Sequence, residues 1–137
     1  MIPNYMTQEI DLENREDLIK LLNSSEYKFI IIKFTATWCR PCKVIQPFLE
    51  KMVDEKIEKL NAQQKTNHFL YIELDVDVCF DLYAFLKKKK AINGIPCIYV
   101  YNVERSRQTD DAYKYLPHGS FSGTDQKQIQ RLFDMVQ

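Results

Sequence analysis

Apolar residues along this chain fall alternately into helical and strand periods. Asn14-Arg15-Glu16-Asp17 opens an amphipathic helix with Leu18, Leu21 and Leu22 on its apolar face; Asn14 is the predicted cap. Phe29-Ile30-Ile31-Ile32-Lys33-Phe34 is β-branched and nearly all apolar, the pattern of a central parallel strand covered on both faces. Val44, Ile45, Phe48, Leu49, Met52, Val53, Ile57 and Leu60 then follow helical spacing, with Pro47 predicting an early kink. His68 to Leu74 is a second buried-strand pattern. A short helix carries Leu82, Tyr83, Phe85 and Leu86 and ends in Lys87 to Lys90, a solvated end that complements the helix dipole. Ile95 to Tyr101 is a third strand with Pro96 near its entrance. Residues 102–111 read as a hairpin loop, Tyr113 to Phe121 as an antiparallel return strand, and Gly123-Thr124-Asp125 as the start of a last helix bearing Ile129, Leu132, Phe133 and Val136. Strand and helix alternate throughout, which predicts an α/β layer fold.

Composition narrows the class. At 137 residues, 45% hydrophobic and 28% charged, the chain is expected to be one domain over 1–137, with residues 1–9 a short leading strand or arm. A formal net charge of zero predicts no nucleic-acid partner and no attraction to an anionic membrane. No apolar run is long enough to cross a bilayer, and Met1 to Tyr5 carry no basic segment leading into an apolar one. A cytoplasmic, reducing compartment is the expectation. Four cysteines, at 39, 42, 79 and 97, then point to redox or metal chemistry rather than to a disulfide scaffold.

The candidate chemistry lies in Trp38-Cys39-Arg40-Pro41-Cys42-Lys43, where an apolar strand gives way to a helix. A helix N-terminus offers unpaired amides and a positive dipole end, and both favour a thiolate. A second thiol one turn away can resolve the mixed disulfide that such a thiolate forms. The same spacing serves zinc, so the motif by itself leaves redox and metal chemistry open.

Four segments in order resemble the thioredoxin family over roughly residues 10 to 137. They are Phe34 to Lys43, Asp75-Val76-Asp77, Gly94-Ile95-Pro96, and Gly119-Ser120-Phe121-Ser122-Gly123. The resemblance implies a thioredoxin fold, a central mixed sheet flanked by helices on both faces. It also implies a protein-disulfide reductase without a bound cofactor, acting in electron transport and redox homeostasis. Its partners would be disulfide-containing client proteins and a thioredoxin reductase or equivalent donor, and the protein would be a monomer. Cys39 would be the exposed nucleophile and Cys42 the more buried resolving thiol. Pro41 would stiffen the turn, Trp38 would shield the pair, and Lys43 would add positive charge. Pro96 is expected to be cis, bringing the Ile95 backbone beside the sulfurs, with Gly119 keeping the other side of the groove open.

Two departures from the family pattern stand out. Arg40 replaces the glycine common between the cysteines, either stabilising the Cys39 thiolate or simply facing solvent. Lys33 and Glu73 interrupt the two apolar strands with the family's buried charges exchanged in sign. They must pair or lose charge, and Glu73 is a candidate acceptor for the Cys42 proton, the alternative being a structural ion pair. Cys79, after Asp75-Val76-Asp77, is a candidate regulatory or intermolecular thiol, whereas Cys97 reads as a buried filler. His118 reads as solvated. A thioredoxin-like scaffold that binds without turnover and a zinc module, with Cys79, Cys97 or a histidine completing the ligand set, are the competing functions.

Overall fold

The computed structural model of the protein describes residues 12–65 and 67–137, so the expected leading arm lies outside the described residues. Helix α1 (Arg15–Ser24) starts where the Asn14 side chain accepts the Asp17 amide at 2.9 Å. The Asp17 carboxylate in turn accepts the Glu13 amide at 3.0 Å, so two helix-start donors are satisfied reciprocally.

Strands β1 (Phe29–Thr35), β2 (Phe69–Asp75), β3 (Cys97–Asn102) and β4 (Gly119–Ser122) form a sheet in the order β2-β1-β3-β4. β1 and β2 are parallel, and β3 is antiparallel to both β1 and β4. Helix α2 (Arg40–Ala62) provides the crossover that a parallel pair needs. The strand period then divides the core. Ile30, Ile32 and Phe34 join Leu70, Ile72, Leu74, Tyr99 and Tyr101 in a cluster with α1 and helix α3 (Phe80–Lys88). On the other face, Ile31, Phe69, Tyr71, Ile98 and Val100 pack with α2 and helix α5 (Gln126–Asp134).

Helix α2 buries Ile45, Leu49, Met52, Val53, Ile57 and Leu60, but Val44 is 64% exposed because it lies a residue off that stripe. The helix continues as one element through Pro47. Helix α3 ends as expected in exposed lysines, and Lys87 and Lys89 lie over the rings of Tyr83 and Phe85.

The stretch after β3 departs from the predicted hairpin. Residues 102–111 contain a helix, α4 (Val103–Arg107), started by the Asn102 side chain accepting the Arg105 amide at 3.2 Å. Its polar sequence hides two inward positions, Val103 and Ser106, and Arg107 donates to the Ser25 carbonyl. The return strand shortens to Gly119–Ser122. Before it, a 3-10 turn at Asp111–Tyr113 and the buried Lys114 fold the chain locally, the ammonium donating to Thr109 O at 2.6 Å and Asp111 Oδ1 at 2.9 Å. Tyr115 is drawn into the core, its carbonyl accepting the Tyr101 hydroxyl at 2.7 Å.

Candidate active site

At the end of β1 the Val76 amide donates to Thr35 O at 2.8 Å, tying the loop after β2 to the loop that carries the cysteines. Cys39 is the N-cap of α2, with Pro41 in the first turn, where its missing N–H leaves nothing unpaired. The Cys39 Sγ accepts the Cys42 amide at 3.2 Å. The two Sγ atoms are 2.21 Å apart, so the pair is in its oxidised form. Cys39 is 4% exposed and Cys42 1%. The expected order of burial is present, but Cys39 is not openly exposed: with its sulfur bonded to Cys42, it packs in the cluster that holds Phe34, Ala36, Val76 and Cys97.

Trp38 lies beside the pair, largely exposed, with its indole N–H donating to Asp77 Oδ2 at 2.8 Å. The Asp77 amide donates to Asp75 Oδ1 at 2.8 Å, so the loop after β2 holds the ring in place. Arg40, Pro41 and Lys43 are exposed, and the Arg40 and Lys43 side chains make no hydrogen bond or ion pair among the described residues. For Arg40 this is the solvent-facing alternative.

The Ile95–Pro96 bond is cis. Cys97, next in the chain, pairs with Phe34, so Pro96 reaches the end of the sheet from which the cysteine loop leaves. The glycine beside it is Gly123 rather than Gly119. Gly123 donates its amide to Pro96 O at 3.0 Å and holds φ +133°, a backbone region that disfavours side chains. Gly119 pairs with Val100, three residues further along β3, and a Cβ there would come within 2.6 Å of Met135 Sδ. Gly119 therefore lets β4 pack closely on the segment that ends α5. Gly123 lies two residues before Asp125, whose side chain caps α5 by accepting the Lys127 and Gln128 amides.

Lys33 and Glu73 are partners in register on β1 and β2, yet they do not form a direct ion pair. Lys33 is 2% exposed, and its Nζ donates to Cys42 O at 3.2 Å and to Gln46 Oε1. Glu73 is exposed and accepts from Gln46 Nε2 and the Tyr71 hydroxyl, each at 2.8 Å. An amide bridges the two charges. Burial lowers the proton affinity of Lys33, and Glu73 and Glu50 oppose that lowering. Burial, and then the Glu73 carboxylate, hold the Tyr71 phenol protonated well above its ordinary range. Gln46 carried no signal in the sequence, being one polar residue on a helix of many. Lys33, Cys42, Lys43, Gln46, Glu73 and Asp75 line an open cavity of about 230 Å³.

Cys79 and Cys97 are 3% and 2% exposed, and burial pushes each thiol up to about 11. That suits the filler reading of Cys97 and works against Cys79 as a regulatory thiol, which needs access and thiolate character. His118 is half-buried rather than solvated: its Nδ1 accepts the Asn102 amide at 2.9 Å, and burial lowers its proton affinity. Among the described residues no group of three or more His, Cys, Asp or Glu side chains is placed to hold a metal ion, and no helix is long and apolar enough to cross a membrane.

A cysteine pair capping a helix, beside a cis-proline loop on a mixed α/β sheet, defines a dithiol–disulfide site of thioredoxin type. The thioredoxin family model matches residues 10–114. The thioredoxin of Coprinus comatus is 37% identical over 90 residues, covering 66% of this chain and 72% of that protein. The thioredoxin of Oryctolagus cuniculus is 34% identical over 73 residues, 53% of this chain, and the match spans 60% of the rabbit protein's length. The crystal structure of thioredoxin from Trypanosoma brucei brucei superposes with a TM-score of 0.62 at 16% identity, covering 99% of this chain and 96% of that one. The chain belongs to the thioredoxin family and has the thioredoxin fold.

Proposed function

We propose that this protein is a thiol–disulfide oxidoreductase that reduces disulfides of client proteins. The observation that carries the reading is the placement of Cys39 and Cys42 within bonding distance at the N-terminus of α2. In the reduced protein, the Cys42 amide and the positive end of the helix favour a thiolate on Cys39. That thiolate attacks a client disulfide, forming a mixed disulfide and releasing one client thiol. Cys42 then attacks Cys39 Sγ, the client leaves fully reduced, and the Cys39–Cys42 disulfide remains.

The exposed Trp38 and the Ile95–Pro96 backbone flank the pair and suit an extended client segment. Exposed Arg40 and Lys43 add positive charge to that surface, which favours acidic clients. A thioredoxin reductase or an equivalent donor restores the dithiol. The reading takes the chain as one domain acting as a monomer in a reducing compartment such as the cytoplasm, within cellular electron transport and redox homeostasis. The test is turnover of insulin disulfides with dithiothreitol as donor. The wild-type protein is expected to turn over and Cys39→Ser to lose turnover; activity retained in the variant overturns the proposal.

A further inference from the structure

The stretch between β3 and β4 builds a pocket at the end of the sheet away from the dithiol. β3 runs from Cys97, level with Phe34 at the dithiol end, to Asn102, level with Phe29 at the other end. Beyond Asn102, Arg105, Gln108, Tyr113, Leu116 and His118 line an open cavity of about 450 Å³. Its walls are fixed in place. Thr109 Oγ1 donates to Arg105 O at 2.8 Å, the buried Lys114 donates to Thr109 O at 2.6 Å, and the His118 amide donates to Val100 O at 2.9 Å. The His118 ring is fixed in its tautomer as well: a backbone amide can only donate, so Nδ1 accepts from Asn102 and the ring proton sits on Nε2. Burial, and then the Arg105 charge, keep that ring neutral. Among the described residues neither His118 Nε2 nor the Arg105 guanidinium has a hydrogen-bond partner, and no carboxylate lines the cavity. Tyr113 and Leu116, 61% and 45% exposed, add apolar surface to the same wall.

We propose that this cavity binds an acidic peptide segment of a partner protein, its carboxylate held by Arg105 and the His118 Nε2–H and a neighbouring apolar side chain laid on Tyr113 and Leu116. A guanidinium fork meets a carboxylate with two parallel N–H donors, and the imidazole N–H adds a third. One full positive charge suits a singly charged carboxylate better than a phosphate dianion. The exposed Tyr113 and Leu116 favour a ligand that brings apolar surface beside its charge. Arginine and tyrosine are also the side chains that contribute most where proteins meet. Because the walls are already tied by hydrogen bonds, little of the pocket has to be ordered on binding. The pocket lies at the far end of β3, so a bound segment tethers its protein without covering the groove beside Pro96.

NMR titration of the oxidised protein with the peptide acetyl-Gly-Leu-Asp-Leu-Gly-amide tests the site. Saturable shifts are expected at Arg105, Leu116 and the His118 ring. A peptide with Asn for Asp removes the charge, and one with Gly for both Leu removes the apolar contact; each is expected to bind about 10-fold more weakly. R105M is expected to weaken the Asp peptide by about 10-fold, and R105K, a cation without the fork, to recover only part of that loss. H118N keeps an acceptor for the Asn102 amide but removes the Nε2–H, and is expected to weaken binding several-fold. Equal binding of the Asn or the Gly peptide, unaltered binding by R105M, or no saturable shift in the wild-type protein overturns the proposal. Full recovery in R105K or unaltered binding by H118N overturns the assignment of the carboxylate to these two donors. Inorganic phosphate that gives the same shifts with equal affinity overturns the peptide reading by making the cavity a simple anion site. Arg105 is exposed, so its variants decide the matter even where H118N fails to fold.

Discussion

The two faces of the sheet serve the dithiol in different ways. On the α1/α3 side the cysteine pair shares an apolar cluster with Phe34, Tyr99 and Cys97, where burial pushes the spare thiols up to about 11. On the α2/α5 side the carbonyl of Cys42 meets a row of polar groups, Lys33, Gln46 and Glu73, that reaches solvent. The first face carries stability and the second carries charge. The difference teaches that a buried charge at this position is tolerated because a helix carbonyl and an amide accept from it beside an open cavity, rather than because an opposite charge touches it.

Stability measurements give the widest separation between the faces. Leu82 on α3 is fully buried, and Leu82→Ala removes apolar contacts and leaves a cavity. A loss of about 2–5 kcal/mol in urea unfolding is expected. K33M, on the other face, is expected to be neutral to stabilising, because it removes a buried charge while the groups left behind are a helix carbonyl and a half-buried amide. Comparable losses in the two variants would abolish the contrast.

A smaller effect separates the two glycines of the last strand and turn. Gly123→Ala forces a side chain onto φ +133° beside Pro96, and about 1–3 kcal/mol of strain is expected together with reduced insulin turnover. Gly119→Ala presses on Met135 and Leu132, flexible side-chain ends, so the cost is expected near the low end of overpacking, about 1 kcal/mol, with turnover unchanged. The reverse order of effects on turnover would return the groove to Gly119.

How far the sequence reaches follows the same division. Elements whose signal is local were legible: the apolar run of β1, the cap at Asn14, the start of the last helix after Gly123-Thr124-Asp125, and the cysteine pair all stand where the pattern put them. The stretch 102–118 was not, because α4 buries only Val103 and Ser106 and owes its place to packing on α1 and to Arg107 reaching Ser25. The cis Ile95–Pro96 bond came from family resemblance, not from any periodicity. Lys33 and Glu73 were legible, through the family resemblance, as charges on neighbouring strands, but their register and the Gln46 amide between them depend on how β1, β2 and α2 pack, which no residue spacing encodes.

The spare thiols offer a test of the dry face with a defined pH window. Burial raises Cys79 and Cys97 from an ordinary 9.0 to about 11, so the folded state holds these protons more tightly than the unfolded chain. Their contribution to stability is complete below 9.0 and is lost as the pH rises to about 11. The oxidised protein is therefore expected to resist iodoacetamide at neutral pH, and Cys79→Ala with Cys97→Ala to flatten the alkaline fall in stability. Rapid alkylation of Cys79 in the folded protein would instead give it the reactive thiol that the sequence suggested.

The smallest expected effect is at the solvent end of the polar row. Glu73→Gln keeps an acceptor for Tyr71 and Gln46 but removes a charge that favours the Lys33 ammonium. Because Glu73 is exposed, stability is expected to change little. The pH profile of insulin reduction is expected to stay in place, because Gln46 and Tyr71 already occupy the carboxylate. A profile that changes in Glu73→Gln would return Glu73 to the path of the Cys42 proton.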